Sequence, residues 1–143
     1  AKEFAFSHPG GALGKRLLLT VKDLMHTGDS IPEVGADANL QETILEVTRK
    51  KLGVTTVVDE KKQLLGIFTD GDLRRTFEKG VELKSIRVKE VMTKSPKTVK
   101  ADHLAIEALA IMENYKITSL VVTDAENRVM GILHMHDLLQ AGI

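Results

Sequence analysis

The chain has 143 residues, with 20 Lys plus Arg balanced by 20 Asp plus Glu and 43% hydrophobic residues. That is enough for one packed domain, and zero formal net charge gives no general pull toward nucleic acid or an anionic membrane. There is no cysteine, which excludes disulfides, thiolate metal sites and cysteine nucleophiles, and no apolar run is long enough to span a bilayer.

From the N-terminus, Ala1-Lys2-Glu3-Phe4 shows neither an initiator Met nor a signal-peptide layout, so the chain reads as a fragment of a longer, cytoplasmic protein. Val21-Lys22-Asp23-Leu24-Met25 opens the first of two similar units. Leu40, Ile44 and Val47 then share one helical face, and Asn39 with Glu42 three residues on forms a capping-box pattern. The β-branched run Val54 to Val58 follows, then the polar turn Asp59 to Gln63 and a second apolar run, Leu64 to Phe68. A short helix is expected from about Asp70 to Glu78. The basic clusters Arg49-Lys50-Lys51 and Arg74-Arg75 fit solvated helix ends.

After a connector to about Arg87 the pattern returns. Val88-Lys89-Glu90-Val91-Met92 repeats the opening, and Leu104, Ala108 and Ile111 repeat the helical face. Ile117 to Val121 repeats Val54 to Val58 at a spacing of 63, while Gly131 to Leu138 repeats Gly66 to Leu73 at a spacing of 65. Each unit reads strand, helix, strand, strand, helix. The fold class is therefore α/β, two such units packed about a pseudo-twofold, because one unit alone leaves a sheet face and two helix faces uncovered. The expected divisions are 1–20 for a tail and linker, 21–79 and 88–143 for the units, and 80–87 between them.

Thr69 stands where strand becomes helix, so unpaired backbone N–H groups at the helix start could receive a phosphate, and Asp72 could accept bonds from a ribose diol. The same two residues also make a plain N-cap needing no ligand. The strand edges at Val54 to Thr56 and Ile117 to Ser119, Val54, Thr55, Ile117 and Thr118 foremost, could hold a base by main-chain hydrogen bonds. Asp70-Gly71-Asp72 lacks the further oxygen ligands of a calcium loop. His134 and His136 straddle a strand–helix junction without a third zinc ligand, so no metal is expected and cleft polar groups are the better fit. Arg75 lies one turn beyond Asp72 and reaches either a phosphate or Asp72 itself. His26 and His103 read as surface or loop residues, and the five Met as core filler.

Gly66-Ile67-Phe68-Thr69-Asp70-Gly71-Asp72 and the duplicated Val-x-x-apolar-Met opening resemble the CBS (cystathionine-β-synthase) pair family. The resemblance implies a nucleotide-binding regulatory module, with ligand contacts falling to Thr69, Asp72 and Asp137. His134 departs from the family's Thr or Ser. Ser7-His8-Pro9-Gly10-Gly11-Ala12-Leu13-Gly14 resembles the end of the sugar-isomerase (SIS) domain in the D-arabinose-5-phosphate isomerase family, where it precedes a CBS pair. That family interconverts D-ribulose 5-phosphate and D-arabinose 5-phosphate for Kdo and lipopolysaccharide synthesis. The resemblance implies His8 as a catalytic residue of the parent enzyme, a homotetramer, with the fragment itself inactive. It implies a regulatory ligand, a nucleotide or a sugar nucleotide such as CMP-Kdo, no required cofactor, and the parent's own SIS domain as partner. A structural, oligomerising module without ligand is the alternative.

Overall fold

A computed structural model describes residues 9–143, with side chains from Gly14 onward. Helix α1 (Pro9–Leu18) leads into a single helical turn, α2 (Val21–Leu24). The first unit runs β1 (Glu33–Gly35), α3 (Leu40–Lys50), β2 (Val54–Val58), β3 (Leu64–Thr69) and α4 (Asp70–Glu78). A 3-10 turn at Val88–Glu90 and strand β4 (Thr93–Lys94) precede the second unit, β5 (Thr98–Val99), α5 (Ala105–Tyr115), β6 (Ser119–Thr123), β7 (Val129–His134) and α6 (Met135–Gln140). The duplicated strand–helix–strand–strand–helix order expected from the sequence is the order observed.

In both units the first strand pairs in parallel with the second, and the second antiparallel with the third. The register corrects one spacing. Val54 faces Thr69 and Ser119 faces His134, so Val54 to Val58 corresponds to Ser119 to Thr123, a spacing of 65 rather than 63. A two-residue slip preserves the in–out alternation of a strand, which is why residue pattern alone admitted it. Ile117 and Thr118 thus precede β6. In α5 the fully buried face is Ala105, Ala108 and Met112, whereas Leu104 is the N-cap and stays partly buried with Ile111.

The units exchange their leading segments. Strand β4, which enters the second unit, pairs with β3 of the first. His26, which enters the first unit, bridges to Ile132 in β7 of the second through both backbone hydrogen bonds. The cores follow the exchange. Val88 packs with Leu40, Val57 and Phe68, while Val21 packs with Met112, Leu120 and Leu133. Each of these two valines is fully buried, a contribution of about 1.5–3 kcal/mol apiece that one unit supplies to the other.

Gly66 and Gly131 permit the crossing. A Cβ on Gly66 would lie 2.6 Å from the Thr93 carbonyl oxygen and 2.7 Å from the Met92 sulfur. On Gly131 it would lie 2.7 Å from the His26 carbonyl oxygen and 2.7 Å from the Met25 sulfur. The hairpin turns interlock as well: Leu64 N–H donates to Asn127 O and Val129 N–H to Lys62 O, each at 3.0 Å. Of the methionines, Met112 is buried core, but Met130 is 41% exposed because it is the extra residue of a β-bulge in β7.

One device starts three segments in each unit. The N–H of Thr20, Asn39, Thr69, Arg87, Leu104 or His134 donates to the carboxylate three residues on, at 2.8–3.0 Å. Each satisfies a backbone donor that the helical turn cannot use.

Candidate functional site

Where the units meet, the ends of β3 and β7 and the starts of α4 and α6 enclose one cavity of about 520 Å³. Gly53, Val54, Thr69, Asp70 and Gly71 line it from the first unit, and Ile117, Thr118, Ser119 and His134 from the second. The crossover segment at Thr93 and Ser95 to Lys97 closes a further wall. The volume falls within the roughly 300–1,000 Å³ typical of small-molecule sites.

Of the residues singled out in the sequence, Thr69, Val54, Ile117, Thr118 and His134 therefore converge on one cleft. Thr55 does not join them: it is fully buried and its hydroxyl donates to the Thr56 carbonyl. His136 is exposed beyond the lining. His8 lies outside the described residues.

Asp72 stands behind the cleft, not in it. It is 4% exposed, and as the third residue of a capping box its carboxylate turns back onto the helix start. Its oxygens accept from Thr69 N–H (2.9 Å), the Thr69 hydroxyl (3.1 Å), the Thr93 hydroxyl (3.0 Å) and Arg75 Nη2 (2.6 Å). Arg75 thus makes the ion pair rather than reaching into the cavity. Asp137 repeats the arrangement in the second unit, accepting from His134 N–H at 2.8 Å and facing His26 Nε2 at 3.0 and 3.1 Å. His26, which the sequence reads as a surface residue, is half-buried at this contact. Only the exchange of leading segments brings it there. His103 is exposed, as expected.

Positive charge in the cleft comes from Lys97 and Lys116, against the single carboxylate of Asp70. Lys97 Nζ also lies 4.2 Å above the Tyr115 ring centroid. Neither lysine was singled out in the sequence, although Lys116 caps α5 in the left-handed conformation, as Lys51 caps α3. Backbone donors and acceptors add to this lining. At the start of α4, Asp70 N–H donates to Gly53 O and Asp72 N–H to the Thr69 hydroxyl, and the Gly71 N–H has no partner among the described residues. The ladder between β1 and β2 begins at Thr56, so the edge at Val54 extends past it toward the cavity.

At the start of α6 the chemistry differs. His134 Nδ1 accepts from His136 N–H at 3.0 Å, so the neutral ring has its proton on Nε2. Burial pushes the pKa of His134 below the ordinary histidine value; Asp137 pulls the other way, and His136 and His26 reinforce the drop. This side of the cleft presents a neutral imidazole where the first unit presents a hydroxyl.

The family model described as the CBS domain matches residues 21–79 and again 88–143. Over all 143 residues the chain is 54% identical to an arabinose 5-phosphate isomerase of Pseudomonas aeruginosa and 52% identical to one of Escherichia coli K12. It covers 44% and 43% of those proteins, less than half the length of either. Among solved structures, CBSX2 in complex with AMP superposes with a TM-score of 0.75 at 24% identity, over 87% of this chain and 96% of that one. A CBS domain pair in complex with 5-methylthioadenosine and S-adenosyl-L-methionine gives 0.77 at 22% identity, over 86% and 94%. These two superpositions establish the fold.

Proposed function

The chain belongs to the CBS domain family, and from that premise we propose that it is the ligand-sensing regulatory pair of a D-arabinose-5-phosphate isomerase. The parent enzyme interconverts D-ribulose 5-phosphate and D-arabinose 5-phosphate in the cytoplasm, as a homotetramer, in the route to Kdo and lipopolysaccharide. Residues 1–20 are the tail end of its SIS domain and the linker, and supply His8 to catalysis, where a histidine can move a proton between adjacent carbons. The fragment alone has no isomerase activity.

The observation that supports sensing is the cavity between the units, which joins Thr69, two lysines and His134 from different parts of the chain. Lysines and a helix-start amide suit a phosphate, and the strand edge at Val54 suits a base. The guest is a nucleotide or a sugar nucleotide such as CMP-Kdo, and the pair needs no cofactor for its fold. A guest that binds only the folded state raises its melting temperature. Thermal shift of the 143-residue chain against AMP, ATP, CMP and CMP-Kdo should therefore show one clear stabiliser; a flat response to all of them removes the sensor reading.

A flat response would favour the second reading, an assembly module for the same isomerase. Leu45, Phe77 and Leu139, on α3, α4 and α6, are each more than half exposed, and such apolar surface fits a further chain. Sedimentation of the fragment, with and without charged replacements at Phe77 and Leu139, tests that reading.

A further inference from the structure

The two helix starts at the cleft differ at three corresponding positions together. Around Asp72 stand Thr69, Gly71 and Thr93, and around Asp137 stand His134, His136 and His26. The Thr93 hydroxyl bonds Asp72, and His26 Nε2 bonds Asp137 from the matching place on the exchanged segment. Where hydroxyls and the Arg75 guanidinium hold Asp72, the second unit has a shell of histidines beside Asp137.

The shell fixes how His134 can act. Its backbone N–H is held by Asp137, which His26 holds in turn. Its Nδ1 is occupied by the His136 amide, so Nε2–H is left as the donor, on a ring that lines the cavity. A neutral N–H reads a lone pair on oxygen or nitrogen, while the formal positive charge of the cleft sits on Lys97 and Lys116.

We propose that His134 is the specificity-determining residue of the cleft, donating from Nε2 to an acceptor on a guest whose phosphate engages the Thr69–Gly71 helix start. His26 and Asp137 are its positioning residues. The guest class is then a phosphorylated molecule with a second acceptor-rich group, such as a nucleotide joined to a sugar acid, held in one orientation. This rests on the sensor reading above.

Two near-isosteres separate donation from capping. His134→Asn keeps an acceptor for the His136 amide but is too short to place a donor at the ring Nε2 position, whereas His134→Gln reaches it. Calorimetry of the 143-residue chain with CMP-Kdo should show affinity within about threefold for His134→Gln and about tenfold weaker for His134→Asn, the size of one lost hydrogen bond. CMP, lacking the sugar acid, should bind both variants alike. Long-range proton–nitrogen NMR of the free chain should show His134 as the Nε2–H tautomer. Wild-type affinity in His134→Asn, equal losses in both variants, or an Nδ1–H tautomer would each overturn the inference while leaving the sensor reading intact. If the wild-type chain binds neither probe, the sensor reading itself falls.

Discussion

The starts of α4 and α6 share a plan and differ in finish. In both, a strand ends on a residue whose N–H is taken by an aspartate three residues later, and a side chain from the exchanged segment bonds that same aspartate. The groups set on this frame differ, Thr69, Gly71 and Thr93 on one side and His134, His136 and His26 on the other. The comparison separates what the fold demands from what the cleft uses. The aspartates and the crossing segments are architecture in both units, and the capping residue is free to vary.

The largest test of that shared architecture is at the crossing glycines. Gly66→Ala and Gly131→Ala each press a Cβ against a carbonyl oxygen at 2.6 and 2.7 Å, contacts that only backbone movement relieves. Each should cost about 3 kcal/mol, the upper range of overpacking, in chemical denaturation. Similar losses at the two positions would confirm that the exchange matters equally to both units; a loss at one alone would break the symmetry.

A smaller effect is expected at the aspartates. Asp72→Ala strands the Thr69 amide and removes the partners of the Thr93 hydroxyl and Arg75, and should cost about 2 kcal/mol. Asp137→Ala should cost about 1 kcal/mol, since His26, 34% exposed at its side chain, can turn to water. Because neither carboxylate lines the cavity, ligand affinity measured at a temperature where both variants stay folded should change less than in His134→Asn. A complete loss of binding in folded Asp72→Ala would return that residue to the cleft.

These contrasts also show how far residues alone lead. The duplicated order and the bounds of α4 were legible because strand alternation, a polar turn and a capping pair all recur in the chain. Convergence of Thr69, Val54, Ile117, Thr118 and His134 followed from their shared place at strand–helix junctions. What the pattern lacked was direction. It left open whether the third-position carboxylate of Asp72 faces the cleft or folds back on its own helix start, and it did not tell that His26 crosses to the other unit. Lys97 and Lys116 were hidden for the same reason, being brought to the cleft by a crossover and by a left-handed helix end rather than by any local motif. Met130 and the two-residue slip at Ile117 show period-two patterns failing where a bulge or an equivalent register intervenes.

The smallest expected effect is a change of slope with pH, and it distinguishes the units without touching the core. Burial holds His134 below its ordinary value of 6.5, so the fold favours the neutral ring and the unfolded chain binds more protons. Its contribution is complete above pH 6.5 and is lost as pH falls from there through the folded value. The first unit has Thr69 in that place and nothing to titrate. Instead it has Glu46 on α3, where α5 has Ile111. Burial alone would raise the Glu46 pKa, but hydrogen bonds from Arg49 and the Glu33 amide, with the charges of Lys50 and Arg49, hold it below 4.5. That contribution persists above pH 4.5 and fails only in stronger acid. Stability followed by denaturant midpoint should thus decline in two separate windows. His134→Thr should flatten the upper one and Glu46→Gln the lower. If His134→Thr leaves the decline below pH 6.5 unchanged, the neutral imidazole is not what sets the second unit apart in the free protein.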